Sequence, residues 1–150
     1  MAQDIAVMGA TGRQGGAVAA RLVRAGWAVR AVTRNPAGEA AAALRRSGAS
    51  VVQADLNNVA SLQQAFDGCT GVFGVTDYWE HGHATELRHG LNLIEAARRA
   101  GVGHFVFSSV GATERIENLD ITHFEAKREI ERHLESSGLS STVLRPVTFF

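Results

Sequence analysis

Short apolar runs alternate with amphipathic stretches along the whole chain. Residues 72–75 (VFGV) contain no polar side chain, and continuous apolar runs of this kind are typical of parallel strands covered on both faces. Leu87, Leu91 and Ile94 recur four and three residues apart, which predicts a helix with one apolar face. The alternation of these two patterns predicts repeated β–α units.

The alternation extends from one end of the chain to the other. We predict strands near residues 5–9, 28–33, 50–54, 71–76, 104–108 and 141–145, and helices near residues 12–25, 39–47, 59–66, 85–100 and 122–136. Connections between successive parallel strands are right-handed, which brings such strands into one sheet. The sequence therefore predicts an α/β fold, a doubly wound parallel sheet of about six strands with helices on both faces.

The first predicted strand leads directly into a glycine-rich turn. Gly9, Gly12 and Gly15 fall at a G-x-x-G-x-x-G spacing. In dinucleotide-binding folds the first glycine permits a tight turn, the second lets a pyrophosphate approach, and the third lets helix and strand pack closely. The helix that follows offers free N–H groups and the positive end of its dipole to phosphates. The order of strand, glycines and helix predicts an NAD(P)-binding Rossmann fold, with a purely structural turn as the alternative.

Composition and charge narrow the range of functions. At 150 residues the chain fits one domain, spanning residues 1–150. Its 15 basic and 15 acidic residues cancel, so no overall field favours nucleic acid or a membrane surface. Cys69 is the single cysteine, which predicts a buried, inert thiol in a cytoplasmic protein. The sequence contains neither an export signal nor an apolar run of about eighteen residues, so we expect no membrane partner.

Residues 144–150 (LRPVTFF) follow the last predicted strand without a polar tail. Complete small domains more often end in polar residues, so we expect a chain truncated at its C-terminus, with a natural minimal domain as the alternative. A truncated sheet leaves its sixth strand as an edge, which invites dimerisation or aggregation. An inactive fragment is therefore one hypothesis for this chain.

The end of the second predicted strand bears on the choice of cofactor. An acidic residue there binds the ribose 2′-hydroxyl of NAD, but residues 28–35 contain no carboxylate and Arg34 stands in its place. A guanidinium attracts a 2′-phosphate through charge-assisted bonds, which predicts NADP(H) in preference to NAD(H). A solvated arginine is the alternative. Asp55 follows the third strand and could accept from the adenine amino group or cap the helix beginning near Val59.

A second group of candidates lies late in the chain. His123 and Lys127 share one helical stripe with Ile130 and Leu134, so both are expected to face the sheet. A buried lysine needs a partner, and a nicotinamide ribose offers two hydroxyls. The alternative is a lysine that extends to the rim beside a satisfied histidine.

Taken together, these segments resemble the NmrA-like family of atypical short-chain dehydrogenases/reductases. The resemblance rests on residues 7–16 (VMGATGRQGG), 32–36 (VTRNP), 75–80 (VTDYWE), 123–127 (HFEAK) and 141–146 (STVLRP). It implies that Thr11, Arg13 and Gln14 join the glycines in the phosphate turn, and that Thr76 and Tyr78 lie beside the cofactor. Members of the family are normally longer than this chain, which agrees with truncation.

The same resemblance bears on activity. Catalytic short-chain dehydrogenases pair a tyrosine with the lysine four residues later, and here His123 occupies the position of that tyrosine. Loss of the tyrosine in this family implies a redox sensor that binds NADP(H) and acts through a protein partner or a homodimer, with Lys127 holding the ribose. The alternative is an NADPH-dependent reductase of quinones or carbonyls, in which His123 could relay a proton. The sequence shows neither a helix-turn-helix nor a basic patch, so we expect no direct binding of nucleic acid.

Overall fold

The computed structural model describes residues 3–111 and 122–147, without the side chains of residues 81, 122 and 123. Within these residues the elements alternate as the sequence predicts. In chain order they are β1 (Asp4–Val7), α1 (Arg13–Arg24), β2 (Ala28–Thr33), α2 (Glu39–Arg46), β3 (Ser50–Gln53), α3 (Val59–Phe66), β4 (Gly71–Val75), α4 (Tyr78–His81), α5 (His83–Arg99), β5 (His104–Ser108), α6 (Thr122–Ser136) and β6 (Ser141–Leu144).

The strands form one parallel sheet in the order β3-β2-β1-β4-β5-β6. β1 is central, and its Val7 lies opposite Ala31 of β2 and Phe73 of β4. The strand order reverses between β1 and β4, which is the place where doubly wound sheets bind ligands. The predicted α/β fold is confirmed.

Two apolar cores lie on opposite faces of this sheet. The larger one packs α3, α5 and α6 against the strands and contains Phe66, Leu93, Phe105 and Ile130, all fully buried. The smaller one joins α1 and α2 to β1, β2 and β4. Helices therefore cover both faces, which explains why the strands read as continuous apolar runs.

The buried face of α5 differs from the predicted stripe. Leu87 and Leu91 are only partly buried, whereas Glu86 and His89 are buried together with Leu93. The helix is therefore turned so that two polar side chains point inward, which an apolar stripe alone does not predict.

Cys69 is buried directly before β4, and its Sγ lies 3.8 Å from the carbonyl oxygen of Ala65. Burial raises the pKa of the Cys69 thiol, which keeps it protonated near neutral pH. The described residues thus contain the inert thiol that the sequence predicts.

The short helix α4 was not predicted. The Asp77 carboxylate accepts hydrogen bonds from the backbone N–H groups of Trp79 (2.8 Å) and Glu80 (3.2 Å), which caps the start of the helix. Gly82 follows with φ of +78° and separates α4 from α5. A single turn has no apolar periodicity, so the sequence pattern passes over it.

Asn58, not Asp55, caps α3. The Asn58 side chain accepts a hydrogen bond of 3.0 Å from the backbone N–H of Ser61. Asp55 instead accepts from the backbone N–H of Asn57 at 2.8 Å, one turn before the helix. The capping role considered for Asp55 is therefore wrong, because its carboxylate is engaged in the preceding loop.

We predict that Asn58→Ala lowers the free energy of unfolding by about 1 kcal/mol, because one N–H at the start of α3 loses its acceptor. Urea denaturation followed by circular dichroism measures the change. Asn58→Ser is the control, since serine is also a good cap and should remain close to the parent. Equal losses in both variants would contradict the capping role.

Candidate functional site

A cavity of about 550 Å³ lies at the carboxyl ends of β1, β2, β3 and β4. It therefore occupies the point where the strand order reverses. Its walls come from the β1–α1 turn, the loops after β2, β3 and β4, and single residues of α4 and α5. The lining residues are Met8, Gly9, Thr11, Gly12, Arg13, Gln14, Gly15, Val32, Thr33, Arg34, Asn35, Ala54, Asp55, Leu56, Asn57, Val75, Thr76, Asp77, Glu80 and His89.

The glycine turn brings β1 and α1 into unusually close contact. Gly9 adopts φ of +61°, and its carbonyl oxygen accepts a hydrogen bond of 2.9 Å from the N–H of Gly12. A Cβ on Gly15 would lie 2.2 Å from the same oxygen, so only glycine fits there. The first and third glycines thus have the structural roles that their spacing predicts.

The start of α1 opens into the cavity. Gly12 is the N-cap residue, and no side chain of the described residues caps this helix. The amide groups of the first turn and the positive end of the dipole therefore face the space lined by Gly12, Arg13 and Gln14. A helix start of this kind binds phosphate or another anion.

Gln14 also connects the turn to the far side of the sheet. Its side-chain amide donates a hydrogen bond to the hydroxyl of Ser108 at the end of β5. The next residue, Ser109, is buried, and its hydroxyl has no hydrogen-bond partner among the described residues. A buried hydroxyl without a partner is costly, so this edge of the sheet retains capacity to bind a polar group.

Arg34 lies on the opposite wall, at the end of β2. Its side chain is 63% exposed, and its guanidinium lies 3.6 Å from the carboxylate of Glu80 on α4. No carboxylate comes from the cavity-lining residues 32–35, as the sequence indicates. Strand β2 therefore ends in an exposed cation, and not in an acid, where a ribose 2′ substituent is expected.

A loop after β3 completes this wall. Asp55 and Asn57 line the cavity, and the amide oxygen of Asn57 lies 3.0 Å from Nε2 of His89 and 3.1 Å from the Arg88 guanidinium. His89 is buried and reaches the loop from α5. Sequence reasoning missed this link, because Asn57 and His89 lie far apart along the chain.

Lys127 is buried beside the cavity and is held by protein groups. Its ammonium donates to the Thr76 carbonyl oxygen (3.0 Å) and the Thr76 hydroxyl (2.7 Å), and it lies 2.8 Å from the carboxylate of Glu86 in an ion pair. The Thr76 hydroxyl in turn donates to the same carboxylate at 2.8 Å. Thr76 therefore accepts two of the three ammonium hydrogens, and Glu86 balances the charge.

Two expectations about Lys127 change in consequence. The lysine does not extend to the rim, because it is only 7% exposed and ion-paired. The partner that a ribose was expected to supply is Glu86, a fully buried carboxylate that sequence reasoning missed. The sequence does contain a signal for the burial of Glu86. This glutamate lies on the same face of α5 as Gly90 and Leu93, which are also buried.

Two of the remaining predicted residues, Tyr78 and Lys127, are not among the residues that line the cavity. Tyr78 begins α4, and its ring meets that of Trp79 edge to face with 5.4 Å between centroids. His123 belongs to the first turn of α6, and its side chain lies outside the described residues. Neither Tyr78 nor Lys127 is among the described lining residues, so their contact with a cofactor stays a prediction.

The described residues contain neither a group of metal ligands nor a membrane-crossing helix. In residues 3–111 and 122–147, no three histidine, cysteine, aspartate or glutamate side chains gather as ligands for a metal ion. None of the helices in this part of the chain has the length and apolar character needed to cross a membrane.

We predict strong coupling between Glu86 and Lys127. Lys127→Met leaves a buried carboxylate without its cation and should lower the free energy of unfolding by about 3–5 kcal/mol. Glu86→Leu should do the same to the ammonium. The double variant should lose less than either single variant, because an apolar pair has no charge to desolvate.

Urea denaturation of the four proteins measures this double-mutant cycle. Losses that simply add in the double variant would contradict the coupling, since independent sites are additive.

Comparison with known proteins identifies the family of this chain. The profile of the NmrA-like family matches residues 1–150. The NmrA-like family domain-containing oxidoreductase FrzB of Cladobotryum sp. is 37% identical over 147 residues, which cover 93% of this chain and 44% of FrzB. This chain thus spans less than half the length of that relative.

Solved structures show the same fold with different functions. The NADPH-dependent quinone oxidoreductase of Escherichia coli, solved with NADPH, is 30% identical with a TM-score of 0.81 over 94% of this chain and 48% of that protein. NmrA, a negative transcriptional regulator solved with NADP, is 28% identical with a TM-score of 0.81 over 95% of this chain and 44% of that protein. The six-stranded sheet is thus a Rossmann-like fold of the NAD(P)-binding class. The family match along the entire sequence leads to one conclusion: this chain belongs to the NmrA-like family.

Proposed function

We propose that this chain binds NADP(H), in preference to NAD(H), as part of a redox-sensing regulator that passes the state of the cofactor to a protein partner. The observation that carries the proposal is the placement of two anion-binding features on opposite walls of one cavity. These are the open start of α1 and the guanidinium of Arg34. NADP(H) carries two anionic groups that match them, a pyrophosphate and a 2′-phosphate.

The glycine turn is suited to the pyrophosphate. Gly12 has no side chain between the helix start and the cavity, so a phosphate oxygen can approach the N–H groups of Arg13 and Gln14. Thr11 and Arg13 line the same cavity. These contacts do not distinguish NADP(H) from NAD(H), because both contain the pyrophosphate.

Arg34 supplies the selectivity in this proposal. A guanidinium donates bidentate, charge-assisted hydrogen bonds to a phosphate, whereas the 2′-hydroxyl of NAD(H) carries no charge. Asp55 lies on the same wall, where its free carboxylate oxygen is suited to accept from the adenine amino group. The exposure of Arg34 leaves the guanidinium free to adjust to either ligand.

The buried cluster of Thr76, Glu86 and Lys127 favours a sensor over an enzyme of the tyrosine–lysine type. Lys127 is already bonded to Thr76 and ion-paired with Glu86, so a ribose hydroxyl would compete with these protein groups. His123 replaces the proton-donating tyrosine in the sequence. The chain therefore combines elements for holding the cofactor with a lysine that is already engaged by protein groups.

An NADPH-dependent reductase of quinones or carbonyls is the second candidate. The similarity to a quinone oxidoreductase and to FrzB favours it. Bound NADPH supplies a hydride, and the protein of such a reductase orients the substrate and excludes water. His123 and Lys127 would then be the residues that move or hold a proton. The single buried thiol of Cys69 suits the reducing cytoplasm under either candidate.

We predict that Arg34→Ala weakens binding of NADPH by roughly 10- to 100-fold, because a charge-assisted bond to the 2′-phosphate is lost. Binding of NADH should change little. Calorimetric titration with both cofactors measures the two affinities. Arg46→Ala is the matched control, since Arg46 is an exposed arginine paired with Glu39 outside the cavity.

An equal loss for both cofactors would contradict the role of Arg34. Absence of NADPH binding by the folded parent would overturn the proposed function itself.

Gly12→Ala should weaken NADPH and NADH equally. Its φ of −91° suits alanine, but the new Cβ would meet the Gly9 oxygen at 3.3 Å, a tight contact that a backbone shift of a few tenths of an ångström would relieve. The methyl group would also occupy the approach to the helix start. Titration of both cofactors, with circular dichroism to check the fold, measures the effect. A change confined to one cofactor would contradict pyrophosphate binding at this turn.

Turnover separates the sensor from the reductase. We expect no oxidation of NADPH when the purified chain is mixed with a panel of quinones and aldehydes, monitored by absorbance of the reduced cofactor. Turnover that is abolished by His123→Ala, with NADPH binding retained, would establish the reductase instead.

A further inference from the structure

We propose that Glu80 sets the selectivity of this site by competing with the cofactor's 2′-phosphate for Arg34. This inference rests on the proposed binding of NADP(H) and adds an opposing residue to it. Glu80 lines the same cavity as Arg34, and one of its carboxylate oxygens lies 3.6 Å from the guanidinium. A negative charge thus already stands at the cation that the phosphate requires.

The position of Glu80 is fixed by local structure. Asp77 caps the single turn of α4 through the N–H groups of Trp79 and Glu80 itself, and Gly82 ends that turn. The backbone of Glu80 is therefore held in place beside the cavity, while its side chain reaches toward β2. A charge on such a short, capped segment cannot move far when a phosphate arrives.

The strength of the Arg34–Glu80 pair decides which anion prevails. Both side chains are more than half exposed, at 63% and 56%, and exposed pairs are weak. A phosphate carries more charge than a carboxylate and binds a guanidinium through two parallel hydrogen bonds, so it displaces Glu80. After displacement, the carboxylate remains close to the phosphate and repels it.

The competition for Arg34 and the repulsion by Glu80 both weaken binding of NADP(H) and leave binding of NAD(H) unchanged. The uncharged 2′-hydroxyl of NAD(H) neither displaces Glu80 from Arg34 nor is repelled by it. Glu80 therefore lowers the preference for the phosphorylated cofactor below the value that Arg34 alone would give. Occupation by NADP(H), and not by NAD(H), also breaks the Arg34–Glu80 ion pair.

The test uses fragments that report on the adenosine end alone. We would titrate the parent, Glu80→Gln and Glu39→Gln with adenosine 2′,5′-bisphosphate and with adenosine 5′-monophosphate. Glutamine keeps the size of the side chain and removes the charge. Glu39→Gln is the matched control, because Glu39 is an exposed glutamate paired with Arg46 at 2.8 Å and does not line the cavity.

We expect Glu80→Gln to strengthen binding of the bisphosphate roughly three- to tenfold, with the monophosphate unchanged. Glu39→Gln should alter neither affinity. The gain should shrink at high salt, which screens exposed charges. An unchanged ratio of the two affinities in Glu80→Gln, or an equal change in Glu39→Gln, would overturn the role of Glu80 while leaving the proposed function intact.

Failure of all three folded proteins to bind the bisphosphate would overturn the proposed function together with this inference.

The fluorescence of Trp79 gives an independent readout in a Trp27→Phe background. The Trp79 side chain is highly exposed on α4, so its emission should respond to the bisphosphate and not to the monophosphate. Equal responses to both fragments would contradict the breaking of the Arg34–Glu80 pair by the 2′-phosphate.

Discussion

The contact between the backbone of Gly15 and the carbonyl oxygen of Gly9 determines where α1 begins relative to β1. Any side chain on Gly15 would place a carbon within 2.2 Å of that oxygen, so the approach depends on glycine. Because the helix starts so close to the end of β1, its uncapped N–H groups face the cavity between the halves of the sheet. The proposed binding of an anion at this site depends on this one steric constraint.

A second constraint acts through the buried charges below the cavity. Glu86 and Lys127 are both withdrawn from water, so each stabilises the other and neither tolerates loss of its partner. Thr76 belongs to this cluster and also lines the cavity, which joins β4, α5 and α6 at the cofactor side of the sheet. The cluster is therefore a buried part of the proposed sensor beside the cavity, whereas Arg34 and Glu80 form an exposed part of the cavity wall.

The fold could be predicted from the sequence because its strands are buried on both faces and its helices alternate with them in strict order. The close turn between β1 and α1 could be predicted because three spaced glycines follow a strand and precede a helix. The place of Arg34 in the cavity wall could be predicted from its position after β2. Each of these features depends on residues close together in the chain.

Features that depend on distant contacts or on the geometry of a single turn escaped prediction. Glu86 was passed over because a glutamate on a helix is ordinarily solvated, and its ion pair with Lys127, 41 positions later, explains its burial. Helix α4 escaped because one capped turn has no periodicity. Asp55 was considered as the cap of α3, whereas the loop geometry gives that role to Asn58.

The central claim is that a dinucleotide pyrophosphate binds at the start of α1. Two-dimensional ¹H–¹⁵N NMR of this 16.0 kDa chain, titrated with NADP⁺, tests it most directly. The account predicts that the largest shifts fall on the backbone amides of Gly12, Arg13 and Gln14. Saturable binding that leaves these amides unchanged would contradict it.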